Sequence, residues 1–321
     1  MISPLKLIIV YYQQNRQLFI NLKTANWSRT KIMGNQKKAY LYAAVTVLLW
    51  STVASAFKIS LRYLDVLLLL FLASISSTVI LFLFLLFLKK LNLLKTLVKK
   101  NYLHSALLGF LNPFLYYLVL LKAYSILTAQ EALTLNFVWP IMLVLLSIPL
   151  LRQKIKTKSI LAIVISFFGV FIIATRGNIL GFRFTNLTGV SLAVGSSVIW
   201  ALFWIYNVKD QTDEIVKLFL NFAFGSCFIF LSMLLFSKPQ VPSFNGILGG
   251  VYIGLFEMGI TFLVWLKALK LSKTTAHVTS LIYLVPFLSI VVIHFAVGEK
   301  IFLSTIIGLI FIVTGIILQK L

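Results

Sequence analysis

The side chains that could do chemistry here sit inside long apolar stretches, where polar groups are expensive to hold. Glu257 lies about midway along one such stretch, while Glu131 and His277 lie near the starts of two others. A charge at the centre of a membrane helix costs about 3 kcal/mol or more, so an ionisable group there points to a substrate path or a proton relay. Glu257 reads either as such a group or as a carboxyl bonded between helices. Glu131 has a rival structural role, because Thr128-Ala129-Gln130-Glu131 is a capping-box pattern. Lys58, Lys122 and Lys267 stand near stretch ends, where long side chains reach the headgroups.

Uncharged polar groups follow a second pattern. In Asn136-Phe137-Val138-Trp139-Pro140 the proline removes a helix hydrogen bond and leaves an upstream carbonyl free. Asn136 and Trp139 place an amide and an indole beside it, giving either a substrate-facing turn or a packing kink. Pro113 after Asn112 and Pro286 after Tyr283 repeat the arrangement. Trp50, Tyr116, Tyr117, Trp200, Trp204, Tyr206 and Trp265 are aromatics with polar tips. Such residues favour the headgroup belt, but Trp50 and Trp200 fall mid-stretch. On a helix Trp200 and Trp204 share a face, and Asn207 follows on it. An aromatic wall with polar handles suits an organic metabolite, cationic or aromatic; core packing is the competing reading.

Catalytic and metal chemistry find little support. Seven acids are scattered over the chain, and three His and one Cys show no ligand spacing. No cofactor is implied, and Cys227 reads as a small core residue. No GxxxxGK[ST] phosphate loop is present, so the chain carries no ATP-driven pump motif. Gly246, Gly250 and Gly254 form two GxxxG steps that allow close helix approach, within one chain or at a homodimer face.

The elements that must position these groups are ten apolar stretches, at 39–60, 66–88, 103–124, 129–151, 159–175, 187–208, 214–236, 245–268, 274–297 and 301–319. Each is long enough for a helix crossing hydrocarbon, and backbone in lipid must satisfy itself. The expected fold is an all-α integral membrane protein. Residues are 60% hydrophobic and 11% charged, which excludes an ordinary soluble domain. The net charge of +22 does not point to nucleic acid, because its placement follows topology. Lys89, Lys90, Lys95, Lys99 and Lys100 occupy one connection, and Arg152, Lys154, Lys156 and Lys158 another on the same side. The other side holds single charges such as Arg62, Arg176, Arg183 and Lys238. The positive-inside rule then places both termini in the cytoplasm, with the lipid bilayer as partner. Residues 1–38 form a basic N-terminal segment, with Met33 as an alternative start that makes 1–32 an upstream extension.

Laying 128–175 on 274–321 brings Thr128 onto Thr274, Glu131 onto His277, Pro140 onto Pro286, Lys154 onto Lys300 and Gly169 onto Gly315. Two five-helix repeats, 39–175 and 187–321, follow. Five is odd, so the repeats have opposite orientations, an architecture of secondary transporters that places the site between the halves. The pathway candidates are therefore Trp50, Ser51, Asn112, Tyr116, Asn136, Trp139, Trp200, Trp204, Asn207, Glu257, Trp265 and Tyr283. Glu131, Glu257 and His277 are candidates for proton coupling.

Leu49-Trp50-Ser51-Thr52, Glu131, Asn136–Pro140, Ile199-Trp200-Ala201, Trp265 and Pro286 together resemble the EamA branch of the drug/metabolite transporter superfamily, and within it the bacterial aromatic amino acid exporters. The resemblance spans 39–321 and implies an inner-membrane carrier of small metabolites, often an amino acid exporter, working by alternating access. Glu257 has no counterpart in that exporter group, and Asn112-Pro113 also departs from it. A carboxyl in the cavity favours an amine-bearing or cationic ligand. Some members of the branch carry S-adenosylmethionine, which makes a nucleoside-like metabolite the alternative substrate. An integral-membrane transferase and a non-transporting membrane partner are the rivals from other classes.

Overall fold

The computed structural model describes residues 29–320 apart from 152–156, 182–183, 211, 238–240 and 273–279. His277 and most of the basic N-terminal segment lie outside the described residues. Among those described, regular structure is helical throughout, with no strand. Besides a short helix at Leu91–Lys95, the unbroken helices are α1 (Arg29–Ser60), α2 (Val66–Phe87), α5 (Thr157–Ala174), α6 (Leu187–Lys209), α7 (Glu214–Phe236) and α10 (Leu303–Lys320). Four more are built from segments. In α3, Lys99–Gly109 and Tyr116–Ile126 flank a π turn at Phe110–Leu115, and in α8, Phe244–Ile253 and Ile260–Leu271 flank one at Gly254–Gly259. Ala129–Asn136 and Trp139–Leu151 make α4, and the 3-10 turn Ser280–Leu284 leads into Val285–Val297 in α9.

Seven of these helices, α1–α4 and α6–α8, are long and apolar enough to cross a membrane, and α5, α9 and α10 are shorter apolar helices. The chain is a multi-pass membrane protein. Its outer faces carry large apolar side chains such as Leu41, Phe87, Phe236 and Phe295, as a lipid solvent requires. Cys227 is a correction to the sequence expectation: it lies on the exposed face of α7, not in the core.

Helix starts are fixed by short polar side chains. Asp65 Oδ1 accepts from the Leu67 and Leu68 amides at 2.9 and 3.0 Å, and Asn186 Oδ1 accepts from Gly189 at 2.9 Å. Three of the four interruptions fall at prolines, and that of α8 does not. Asn112 leaves helical geometry (φ −152°, ψ 117°) just before Pro113. Pro140 and Pro286 are each the second residue of a new helical segment, where a missing N–H was to be unpaired anyway. The expected mid-helix kinks are thus breaks placed immediately upstream of these two prolines.

Packing joins the chain's two ends. α2 lies on α7 and α5 on α10, while α1 packs on α8 and α9, and α6 packs on α3 and α4. Small residues let the backbones meet. A Cβ at Gly169 would fall on the Gly308 carbonyl, one at Gly308 on the Gly169 carbonyl, and one at Gly315 on the Ala162 carbonyl. Ser166 Oγ donates to the Ile312 carbonyl at 3.3 Å within the same crossing. In the α2–α7 crossing, the Thr78 and Ser226 hydroxyls bond at 3.1 Å. Gly109 of α3 abuts the Asn221 carbonyl of α7, and Gly254 of α8 abuts the Ala73 carbonyl of α2. Gly246 and Gly250 likewise close on Leu64 and Leu72. All three glycines of the GxxxG steps therefore make their close approaches within this chain.

Candidate substrate site

Glu257 sits in the π turn of α8. A π turn shifts carbonyls out of the regular helix ladder, and single π turns recur at functional sites. Here side chains take those carbonyls up. Thr261 Oγ1 donates to the Phe256 carbonyl, and the Trp50 indole of α1 donates to the Glu257 carbonyl at 3.4 Å. The Glu257 side chain keeps part of its surface accessible. Its Oε1 accepts from the hydroxyl of Tyr117, a fully buried residue just past the π turn of α3. Leu255, two positions earlier and on the opposite side of the helix, lines an apolar groove against Ile75, Val79 and Leu83 of α2. Glu257 therefore faces inward.

Aromatic rings from four helices form a packed chain that starts at Tyr117 and returns through Trp50 to the Glu257 backbone. Tyr116 lies 4.7 Å from Tyr117 and 4.6 Å from Trp200, centroid to centroid. Trp200 meets Trp204 at 5.8 Å and Phe262 at 6.4 Å; Phe262 meets Trp50 at 6.0 Å, and Trp50 meets Trp265 at 6.0 Å. A polar thread joins the ring to the break in α4. Tyr116 donates to Asn136 Oδ1 at 3.3 Å, the Asn136 amide donates to Ser196 Oγ at 2.8 Å, and Ser196 donates to the Ala193 carbonyl at 2.6 Å.

Trp50, Tyr116, Asn136, Trp200, Trp204, Glu257 and Trp265 are thus brought together. Others stand apart. Ser51 is buried and returns its hydroxyl to the Leu48 carbonyl at 2.7 Å. Asn207 lies at the far end of α6, where its carbonyl accepts from Lys217 at 3.2 Å. Asn112 is buried in the π turn of α3, which packs on α6 and α7. Tyr283 meets Phe137 at 6.5 Å beside the α4 break, and Trp139 packs against the main core. Sequence reasoning named Tyr117 among the polar-tipped aromatics but not as the partner of Glu257, and passed over Phe262 and Ser196. Ser196 was findable, since it lies one turn before Trp200 on the same face.

Glu131 belongs to a different cluster, at the end of the bundle formed by the α3–α4 turn. Its carboxylate accepts from Thr128 Oγ1 at 2.7 Å and from Arg176 Nε and Nη2 at 2.8 and 3.2 Å. The capping box is present. The hydrogen bond to Glu131, reinforced by its charge, holds the Arg176 guanidinium above its ordinary range. Glu299, in the α9–α10 turn, reaches the same place: its Oε1 accepts from the Ala129 amide at 2.7 Å and its Oε2 from the Gln130 amide at 3.3 Å. The Gln130 side chain donates to the Lys300 carbonyl at 2.7 Å and accepts from the Phe302 amide at 3.0 Å. At the opposite end Lys90 pairs with Asp213 at 2.6 Å. Burial works to raise the Asp213 carboxyl, but the Lys90 hydrogen bond and charge, with the Val216 and Ile215 amides, hold it below the usual range.

The EamA-like transporter family model matches this chain twice, over residues 37–175 and 187–319. Curated relatives named only as uncharacterized transporters include one from Clostridium kluyveri, 28% identical over 53% of this chain and 56% of its own length. The chain thus spans little more than half of that relative. YvbV of Bacillus subtilis is 30% identical over 68% of this chain and 70% of its own, and an Archaeoglobus fulgidus protein 25% identical over 88% and 96%. A solved crystal structure shares the fold at a TM-score of 0.61 and 22% identity, covering 88% of this chain and 96% of that one.

Proposed function

This chain belongs to the EamA-like transporter family, and on that premise we propose that it is a secondary carrier of a small amine-bearing metabolite, with amino acids the first class to test. It sits in the inner membrane with both termini cytoplasmic, exporting by alternating access between two inverted five-helix repeats. The observation that carries the substrate reading is the Glu257 carboxylate, held by Tyr117, which opens a chain of packed rings through Tyr116, Trp200, Phe262 and Trp50. A carboxylate binds an ammonium, and ring faces attract cations electrostatically. Proton coupling, on this reading, falls to Glu257 and not to Glu131, whose oxygens are engaged by Arg176 and Thr128.

Several features support the repeat. Trp139–Leu151 and Val285–Val297 begin and end 146 residues apart, as do Thr157–Ala174 and Leu303–Lys320. The third helix of each half carries a π turn. The packing is reciprocal, with α1 on α8 and α9 while α6 lies on α3 and α4. Ser166 touches Ile312, its own counterpart 146 residues on, and Thr78 touches Ser226, 148 residues on. Counterparts meet in this way when a twofold axis relates the halves. With five helices per half, that relation reverses their orientation in the bilayer.

The test is counterflow in proteoliposomes with labelled amino acids and S-adenosylmethionine, comparing the native chain with Glu257→Gln. Counterflow of one compound, lost in folded Glu257→Gln, supports the carrier. No flux of any compound from folded protein would turn the reading toward a membrane transferase or a non-transporting partner.

A further inference from the structure

Resting on the carrier reading and this same site, we infer that the occupant is an organic cation without a carboxylate, an amine on an aromatic or planar body, in preference to a zwitterionic amino acid. Glu257 supplies negative charge with its Oε1 held by Tyr117, and among the described residues no cation pairs with it. Its second oxygen and its remaining accessible surface are therefore available to an ammonium. Trp50 and Trp200, both only partly buried, offer aromatic surface for the attached body.

A zwitterion brings a second charge that needs its own partner. Of the described basic side chains near the site in sequence, Lys122, just past Tyr117, is exposed, and the following are committed elsewhere. Lys58 donates to the Tyr124 and Leu127 carbonyls at 2.8 and 2.5 Å. Lys217 donates to the Asn207 and Asp210 carbonyls, each at 3.2 Å, and Lys267 lies 4.8 Å over the Tyr42 ring. Arg176 is on Glu131. Local donors are also engaged: Tyr117 on Glu257, Tyr116 on Asn136, Asn136 on Ser196, and Trp50 on the Glu257 carbonyl. A substrate carboxylate would be left with neutral donors, the second amide hydrogen of Asn136 and the Trp200 and Trp204 indoles. Taking a carboxylate out of water without a cationic partner is strongly unfavourable.

The experiment compares matched pairs differing only in the carboxylate, tyramine against tyrosine and agmatine against arginine. Protein-dependent counterflow is measured in proteoliposomes, with protein-free vesicles as the blank and with Glu257→Gln in parallel. The expected result is an amine flux at least tenfold above that of its amino acid, lost in Glu257→Gln. Amino acid flux equal to or above that of the amines, still lost in Glu257→Gln, would overturn this selectivity and leave the carrier reading standing. Absence of flux for both members of each pair, from protein shown to be folded, would overturn the inference. If the amino acid panel and S-adenosylmethionine also gave no flux, the carrier reading would fail with it.

Discussion

Removing the Glu299 carboxylate tests how strongly the α9–α10 turn is fastened to the start of α4. Thr128 serves the Glu131 amide, and the Ala132 amide reaches the Thr128 carbonyl. Glu299 takes the two amides before them, Ala129 and Gln130. Glu299→Ala therefore strips two first-turn N–H groups of their acceptor at once. A lost cap costs about 1 kcal/mol, and a negative charge at a helix N-terminus adds roughly 0.5 kcal/mol. The sum is about 1.5 kcal/mol, an upper figure because Glu299 is half-exposed. For a chain of this size that corresponds to a fall of about 2 °C in apparent Tm. Glu299→Gln keeps an acceptor and loses the charge, so its fall should be about half as large. Gln130→Ala removes two more bonds to the same turn, and its effect combined with Glu299→Ala should be less than additive because both act on one contact. The assay is thermal unfolding in detergent with monodispersity checked before heating. An unchanged Tm in Glu299→Ala, or a Gln variant as damaged as the Ala variant, would refute this account of the cap.

Three further outcomes are expected. Tyr117→Phe removes the donor to Glu257 Oε1, a bond to a charged group worth about 2 kcal/mol; substrate counterflow should fall about tenfold or more while the protein stays monodisperse. Gly169→Ala and Gly315→Ala each drive a methyl into a backbone carbonyl across the α5–α10 crossing and should cost about 1–3 kcal/mol apiece, whereas Gly195→Ala, with open space around a Cβ, should be neutral or stabilising; unfolding midpoints decide. The Asp213 carboxyl is held below its ordinary range, so its contribution is complete above the unfolded aspartate pKa and is lost as pH falls through the lower folded one. Because Asp213 and Lys90 are each about a third exposed, the loss should stay under about 1 kcal/mol, visible as a small acid-side drop in Tm that Asp213→Asn removes.

Span positions were legible because hydropathy over a helix length is a strong and local signal. The face each span presents was not. Cys227 shows why: in a bilayer the outward face is as apolar as the core, so a small apolar residue fits either. The α4 run Asn136–Pro140 announced an interruption, but not that the helix would restart at Trp139 and leave Pro140 unstrained. The π turns had no readable marker in α8, and a widened turn shifts the facing of every later residue. That shift is why Tyr117, next to the already prominent Tyr116, could not be singled out as the partner of Glu257. Glu131 carried two readings in the sequence; the capping box with Thr128 was local and legible, but Arg176, 45 residues on, was not. The Glu299–Ala129 contact spans 170 residues and has no local trace at all.

That contact also bears on which way the carrier rests. Under the proposed twofold relation, the residues matching Glu299-Lys300 in sequence are Gln153-Lys154. The α3–α4 end is latched by an anion against helix amides, whereas the matching sequence position carries no charge. If transport exchanges the conformations of the two halves, the two facing states are not mirror equals in free energy. An imbalance of about 1 kcal/mol already gives a ratio near fivefold, and a bound substrate must work with or against that tilt. A fold built on near-symmetry would thus owe its preferred resting side to a single unmatched charge.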